Sequence, residues 1–175
     1  MLRFVPVGQD RVDRDHVDHI VEQWAAERPD VDASPIRIIG RISRLSRAID
    51  RQLATVFERH GLEAWEYDLL AALRRSGPPY ELTAGELLDA LMITSGAVTN
   101  RIDRLEQRGF VRRRKDPTDK RFVRVRLTAA GRRAMDKALP DHLANEAAIV
   151  APLSPTERRQ LERLLKKLQR NLGDP

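Results

Sequence analysis

Residues 93–131 read ITSGAVTNRIDRLEQRGFVRRRKDPTDKRFVRVRLTAAG, and three local signals follow one another within them. A helix starts near Thr94 or Ser95, with Val98, Ile102 and Leu105 as its inner face and Gly109 as the residue that ends it. Phe110-Val-Arg-Arg-Arg114 is strand-like, Asp116-Pro117 marks a turn, and Phe122, Val123, Val125 and Leu127 follow in a near-alternating pattern. Two β-rich runs around a polar turn read as a hairpin. Just upstream, Thr83-Ala-Gly-Glu86 has the spacing of a capping box, so a short helix runs to about Ala90 before a break at Leu91–Thr94. Short helix, break, helix and hairpin form a winged helix-turn-helix. The fold class is therefore mainly α with a small β-hairpin wing.

The flanks of this unit are helical. Val17, Ile20, Val21 and Trp24 recur at helical spacing, which predicts a short amphipathic helix near 11–27, ended by Pro29. Ser34 reads as an N-cap with Pro35 at the first helical position. Ile36, Ile39, Ile42, Leu45, Ile49, Leu53 and Val56 then mark a long helix that ends near His60-Gly61. Another runs from Glu63 to Arg75, with Trp65, Leu69 and Leu73 on its apolar face, and Gly77-Pro78-Pro79 stops it. Thr128 caps a helix over 129–150, which Pro140 is expected to bend or interrupt. Ser154-Pro-Thr-Glu157 starts the last helix, striped by Leu161, Leu164, Leu165, Leu168 and Leu172. This organises the chain as an extension helix and linker (11–33), a winged helix-turn-helix (62–127), and a helical dimerisation region built from 34–61 and 128–173.

With 175 residues and no cysteine, the chain can bury a sizeable core but cannot be a disulfide-stapled module or a thiolate zinc site. No apolar run approaches the roughly 18 residues of a membrane span. The stretch MLRFVPVGQDRVDRDH has no apolar core of signal-peptide length, so a cytoplasmic location is expected. The net charge of +6 is unevenly spread. Residues 101–126 hold eleven Lys/Arg and four Asp/Glu, whereas the remaining 149 residues balance to −1. A focused basic window points to a polyanion partner.

Nothing in the sequence signals an enzyme or a cofactor. It has no Gly-rich phosphate loop, zincin pattern or nucleophile motif. His16 and His19 beside Asp15 and Asp18 offer only an adventitious metal site, and no metal is expected.

The 93–113 stretch, Asp116-Pro-Thr-Asp-Lys-Arg121 and Leu127-Thr-Ala-Ala-Gly131 resemble the MarR-type transcriptional regulators, with order and spacing of elements matching over about residues 36–172. Asp119-x-Arg121 followed by Leu127-Thr128 is the most specific part of that likeness. The resemblance implies a homodimer on a two-fold operator in double-stranded DNA. Within it, Ser95, Thr99 and Asn100 form the outward face of the reading helix, and Asn100 suits bidentate pairing with adenine. Arg112, Arg114 and Lys120 would neutralise phosphates, and Arg121 would enter the minor groove with Asp119 bracing the turn. A competing reading has Asp119 and Arg121 serving the hairpin alone. The surplus apolar stripe of the last helix, especially Leu164, Leu168 and Leu172, suits a dimer contact.

The acidic N-terminal helix with its Trp resembles the urate-responsive branch of that family. By that resemblance Trp24, Asp68, Arg75, Arg101 and Arg113 would form a site for a small anionic or aromatic effector such as urate. The spacing also sets Asp68 at the edge of an apolar helix face and Arg101 between Val98 and Leu105, pointing toward the protein. A structural Asp68–Arg101 ion pair remains open, as do phenolic, antibiotic or tricarboxylate effectors. A sequence-independent architectural DNA-binding protein is the further alternative.

Overall fold

A computed structural model describes residues 14–91, 95–116, 119 and 123–173. The expectations for residues 11–13, the break at 92–94, and Lys120, Arg121 and Phe122 lie outside the described residues. The helices are α1 (His16–Glu27), α2 (Ile36–Arg59), α3 (Ala64–Arg75), α4 (Ala84–Leu91), α5 (Ser95–Gln107), α6 (Ala129–Val150) and α7 (Pro155–Asn171). The strands are β1 (Glu81–Thr83), β2 (Val111–Lys115) and β3 (Val123–Leu127). Contacts divide the chain into two compact units, with the boundary between Arg51 and Gln52.

In the first unit, Asp15 caps α1 by accepting from the N–H groups of Val17 and Asp18, while the Asp18 carboxylate accepts from Asp15 N–H. This box fixes the start at His16 rather than near residue 11. Val17 and Val21 face inward, and Val17 meets Gly40 of α2 closely enough that a Cβ there would lie 3.1 Å from a Val17 methyl. Arg37 and Arg41 of α2 both reach the Asp18 carboxylate at 2.6 Å. The expected Ser34 cap does not form. The Ser34 hydroxyl and N–H both donate to Asp32, so the first turn begins two residues earlier than the helix proper.

In the second unit, α3, α4, α5 and α6 enclose the core with one face of the sheet. Leu69, Leu70 and Leu73 of α3 meet Leu87, Val98, Ile102, Leu105, Val111, Val125, Leu127 and Met135, all buried. The three apolar positions expected on α5 are its buried residues, while Trp65 of α3 is only partly buried. The capping boxes at Thr83/Glu86 and Ser154/Glu157 are both formed.

The wing is a three-stranded antiparallel sheet of order β1-β3-β2, not a bare hairpin. The unforeseen strand is three residues long, and its pairing of Leu82 with Val125 buries the inner edge of β3. So short a run has no periodicity to read. Pro140 does not interrupt α6, which is continuous from Ala129 to Val150. Proline already carries helical φ, and packing of Met135 and Ala138 against the core offsets the one backbone bond it removes.

Thr128 joins the wing to α6. Its hydroxyl donates to the carbonyls of Gly109 and Phe110 at 2.8 and 3.0 Å and accepts from Gly131 N–H at 3.0 Å. Gly131 packs directly under that joint, where a Cβ would stand 2.1 Å from the Phe110 carbonyl oxygen. Gly131→Ala should therefore destabilise the protein by about 1–3 kcal/mol through overpacking. Urea unfolding checks this as a lowered midpoint with an unchanged slope.

Candidate functional site

The outward face of α5 carries Thr99 and Asn100, both exposed. Ser95 is the first residue of this helix, and its side chain lies outside the described residues. Strand register sorts the wing arginines. Arg113 pairs with Val125 on the core side, whereas Arg112 opposes Arg126 and Arg114 opposes Arg124 on the outer side. Arg112 and Arg114 are both exposed there. The amide of Asp119 donates to buried Asp116 at 3.1 Å, and Asp116 also holds Arg124. Asp116 is thus a buried anchor just beyond the end of β2. Its Asp-Pro position announced a turn in the sequence but not its burial.

Folding pairs much of the basic window with acids. Arg104 pairs with Glu63, Arg108 with Glu66, Arg113 with Asp103 and Glu106, Arg114 with Glu81 and Arg124 with Asp116. Glu63, Glu66 and Glu81 come from α3 and β1, outside that window. Arg101, Arg112, Lys115 and Arg126 form no ion pair among the described residues. They leave a narrower cationic surface than the sequence count implies.

A cavity of about 660 Å³ opens where α3, α4 and α6 meet. Asp68, Arg74 and Arg75 line it from α3, Ala90 and Leu91 from the end of α4, and His142 from α6. Asp68 and Arg75, two residues expected in an effector site, are thus brought together. Arg75 reaches out of α3 and donates to the Ala90 carbonyl at 3.2 Å, tying α3 to the last turn of α4.

Arg101 and Arg113 are not in that lining. Arg113 is turned onto α5, where Glu106 also accepts its backbone N–H at 2.7 Å. Arg101 is half-buried, with its guanidinium carbon 5.7 Å from the centre of the Trp65 ring. It attracts Asp68 electrostatically, without an ion-pair contact between them. Trp24 belongs to the first unit, where it is half-exposed beside Val31, Pro35 and Ile36.

Arg74 and His142 were not singled out from the sequence. His142 stacks on Tyr67 with ring centres 4.6 Å apart, and Tyr67 stacks on Phe57 at 4.3 Å. Its pairing with α3 spans more than seventy residues and arises only when α6 packs there. Burial pushes the Tyr67 hydroxyl up to about 12, with the charges of Glu146 and Asp68 acting the same way.

Asp68 keeps solvent on one side and protein on the other. Its partial desolvation raises the carboxyl above the ordinary aspartate value, outweighing the opposing pull of Arg101, His142 and Arg75. A carboxyl whose pKa is higher folded than unfolded costs stability once ionised and costs nothing when protonated in both states. Asp68→Asn should therefore melt higher than the parent at neutral pH. The gap should close as the pH falls through the raised value toward the ordinary aspartate range, which melts across a pH series will read.

The MarR family profile matches residues 60–121. The HTH-type transcriptional regulator PecS of Dickeya dadantii (strain 3937) is 42% identical over 156 residues, covering 89% of this chain and 94% of that protein. Among solved structures, a mutant MarR from E. coli complexed with operator DNA is similar with a TM-score of 0.68 and 26% identity, over 83% of this chain and 96% of that one. BpsR of Bordetella bronchiseptica, described as regulated in DNA binding by 6-hydroxynicotinic acid, is similar with a TM-score of 0.60 and 26% identity, over 74% of this chain and 98% of that one.

Proposed function

This chain belongs to the MarR family of DNA-binding transcriptional regulators, and we propose that it is a homodimeric repressor released from a pseudo-palindromic operator by a small anionic effector, urate or a close analogue. The regulators of this family are not enzymes. No helix among the described residues is long and apolar enough to cross a membrane.

The observation that carries the effector reading is the Arg75–Ala90 hydrogen bond at the mouth of the cavity. An anion entering beside Asp68 draws Arg74 and Arg75 toward itself, because a charge-assisted pair is stronger than a guanidinium–carbonyl bond. Arg75 then lets go of Ala90, and the end of α4, just ahead of α5, is free to shift. Ligand and DNA favour different arrangements of α4 and α5, which is the differential binding a switch needs. The 6-hydroxynicotinic acid that regulates BpsR is an aromatic acid, which supports the ligand class.

The dimer reading rests on apolar surface. Leu161, Leu164, Leu165 and Leu168 are 38–53% exposed on α7, which buries none of its residues within the chain, and Leu172 just beyond its end is 82% exposed. Ile38, Ile39, Ile42 and Leu45 of α2 are likewise exposed. A second copy that covers these stripes presents two reading heads to a two-fold DNA site. On each head, Asn100 reads a base edge, Arg112 and Arg114 meet phosphates, and the wing carrying Lys120 and Arg121 reaches the neighbouring groove.

Thermal melts of the full-length protein against urate test the effector. At a hundred times its dissociation constant, urate should stabilise the fold by about 2.7 kcal/mol. Arg75→Gln should remove most of that gain and the urate-driven loss of operator binding with it. An Arg75→Gln protein that melts and releases DNA with urate like the parent would sink the mechanism.

On the DNA side, Asn100→Ala should lose about 1–3 kcal/mol of preference for the operator over unrelated duplex. Arg112→Ala should weaken both duplexes alike and flatten the salt dependence. Fluorescence anisotropy at several salt concentrations separates the two effects.

A further inference from the structure

A second cavity, of about 500 Å³, opens at the foot of the wing, between the residues leading into β1, the end of β3 and the first turn of α6. Tyr80, Arg126, Arg132 and Arg133 line it. It shares no lining residue with the effector cavity.

Its electrostatics are unbalanced. Arg126 opposes Arg112 across the β2–β3 ladder, and like charges facing each other across strands repel. Glu81 faces Arg126 from β1, but among the described residues its ion pair is with Arg114, at 3.9 Å. Arg132 approaches Asp136 at 3.7 Å, a carboxylate already engaged by Arg74 at 2.7 Å. Arg133 and Arg126 form no ion pair among the described residues. Three guanidinium groups therefore border one concavity, and the two carboxylates nearby, Glu81 and Asp136, are each also engaged by an arginine outside it, Arg114 and Arg74. The guanidinium carbons of Arg74 and Arg132 lie 5.0 and 5.7 Å from the centre of the Tyr80 ring. These cation–π contacts help to hold Arg132 at the cavity wall. Tyr80 keeps this position with a left-handed φ of 62°, a conformation a non-glycine residue adopts only where its surroundings hold it.

We propose that this cavity is an oxyanion site that takes a phosphate group, bound by Arg126 and Arg133 with Arg132 at its side. Guanidinium forks match phosphate oxygens bidentately, and an anion there relieves the Arg112–Arg126 repulsion. The phosphate can belong to a free ion or to the DNA backbone beside the wing, and the chemistry of recognition is the same. Asp136 bridges Arg132 to Arg74, so an occupant of this site and an occupant of the effector cavity act on the two ends of one chain of ion pairs. The proposal stands whether or not the effector is urate.

The test uses the full-length protein with inorganic phosphate against chloride at matched ionic strength, followed by calorimetric titration. Arg126→Gln and Arg133→Gln are the variants, and Arg170→Gln on α7 is the control. Phosphate should bind the parent and the control, and about tenfold more weakly to each variant, the loss expected for one charged hydrogen-bonding partner. Arg133→Lys should recover part of the affinity. In the second arm, binding to an unrelated duplex is followed against salt. A slope reduced by about one in each variant, without binding of the free ion, assigns the site to the DNA backbone. Loss of phosphate binding with an unchanged slope assigns it to a free ion. Variants that bind both phosphate and duplex as the parent does overturn the proposal.

Discussion

Glu66 is a carboxylate with almost no access to solvent, and the placement of the reading helix depends on how its charge is met. Arg108, one residue beyond the end of α5, meets it, and the same guanidinium donates to the Gly61 carbonyl at 2.8 Å. Glu66 also closes the capping box of α3 by accepting the Glu63 N–H at 3.0 Å. The Glu66–Arg108 pair thereby joins the start of α3 to the end of α5 and holds both to the chain leaving α2. Removing one member of such a buried pair leaves an uncompensated charge, at a cost of about 3–5 kcal/mol, reduced here by the solvent that reaches Arg108. Arg104–Glu63 and the stacking of Arg104 over Trp65 at 4.6 Å extend the clamp along the helix.

That clamp explains why a very basic segment can fold onto a protein body. The arginines of α5 and the wing divide into two sets. One set neutralises acids of α3, β1 and the wing tip and so fixes geometry. The other, with Arg112 and Arg126 among it, is left to face outward as mutual neighbours across a strand ladder. Repulsion between outward cations is tolerated because the inward pairs and the apolar core carry the stability. A polyanion that approaches the wing meets a surface whose charges are already held in place.

Helix α6 links this surface to the interior. It begins beneath the wing at Thr128 and Gly131, passes the second cavity at Arg132 and Arg133, and lines the cavity shared with α3 and α4 through Met135, Leu139 and His142. Arg74 lines that larger cavity and lies against Tyr80, which lines the other. Short, charged contacts around α6 thus connect the foot of the wing with the cavity between α3 and α4.

Local signals were enough for the helices, the hairpin and the buried face of α5. Caps such as Thr83/Glu86 and Ser154/Glu157, and the spacing of Val98, Ile102 and Leu105, act over a few residues and are written in order along the chain. The three residues of β1 were not legible, because so short a strand exists only through its partner β3. Asp68 and Arg75 sit seven residues apart on one helix, so their common side could be read. Arg74, His142 and the Tyr80–Arg133 cavity could not, since they depend on α6 packing across α3 and the sheet. The charge of residues 101–126 was visible as a sum, but which arginines face outward is decided by acids distant in sequence. Periodicity and capping are short-range and belong to the sequence alone. Cavities, ion-pair partners and the direction of a charge are long-range, and only the packed chain determines them.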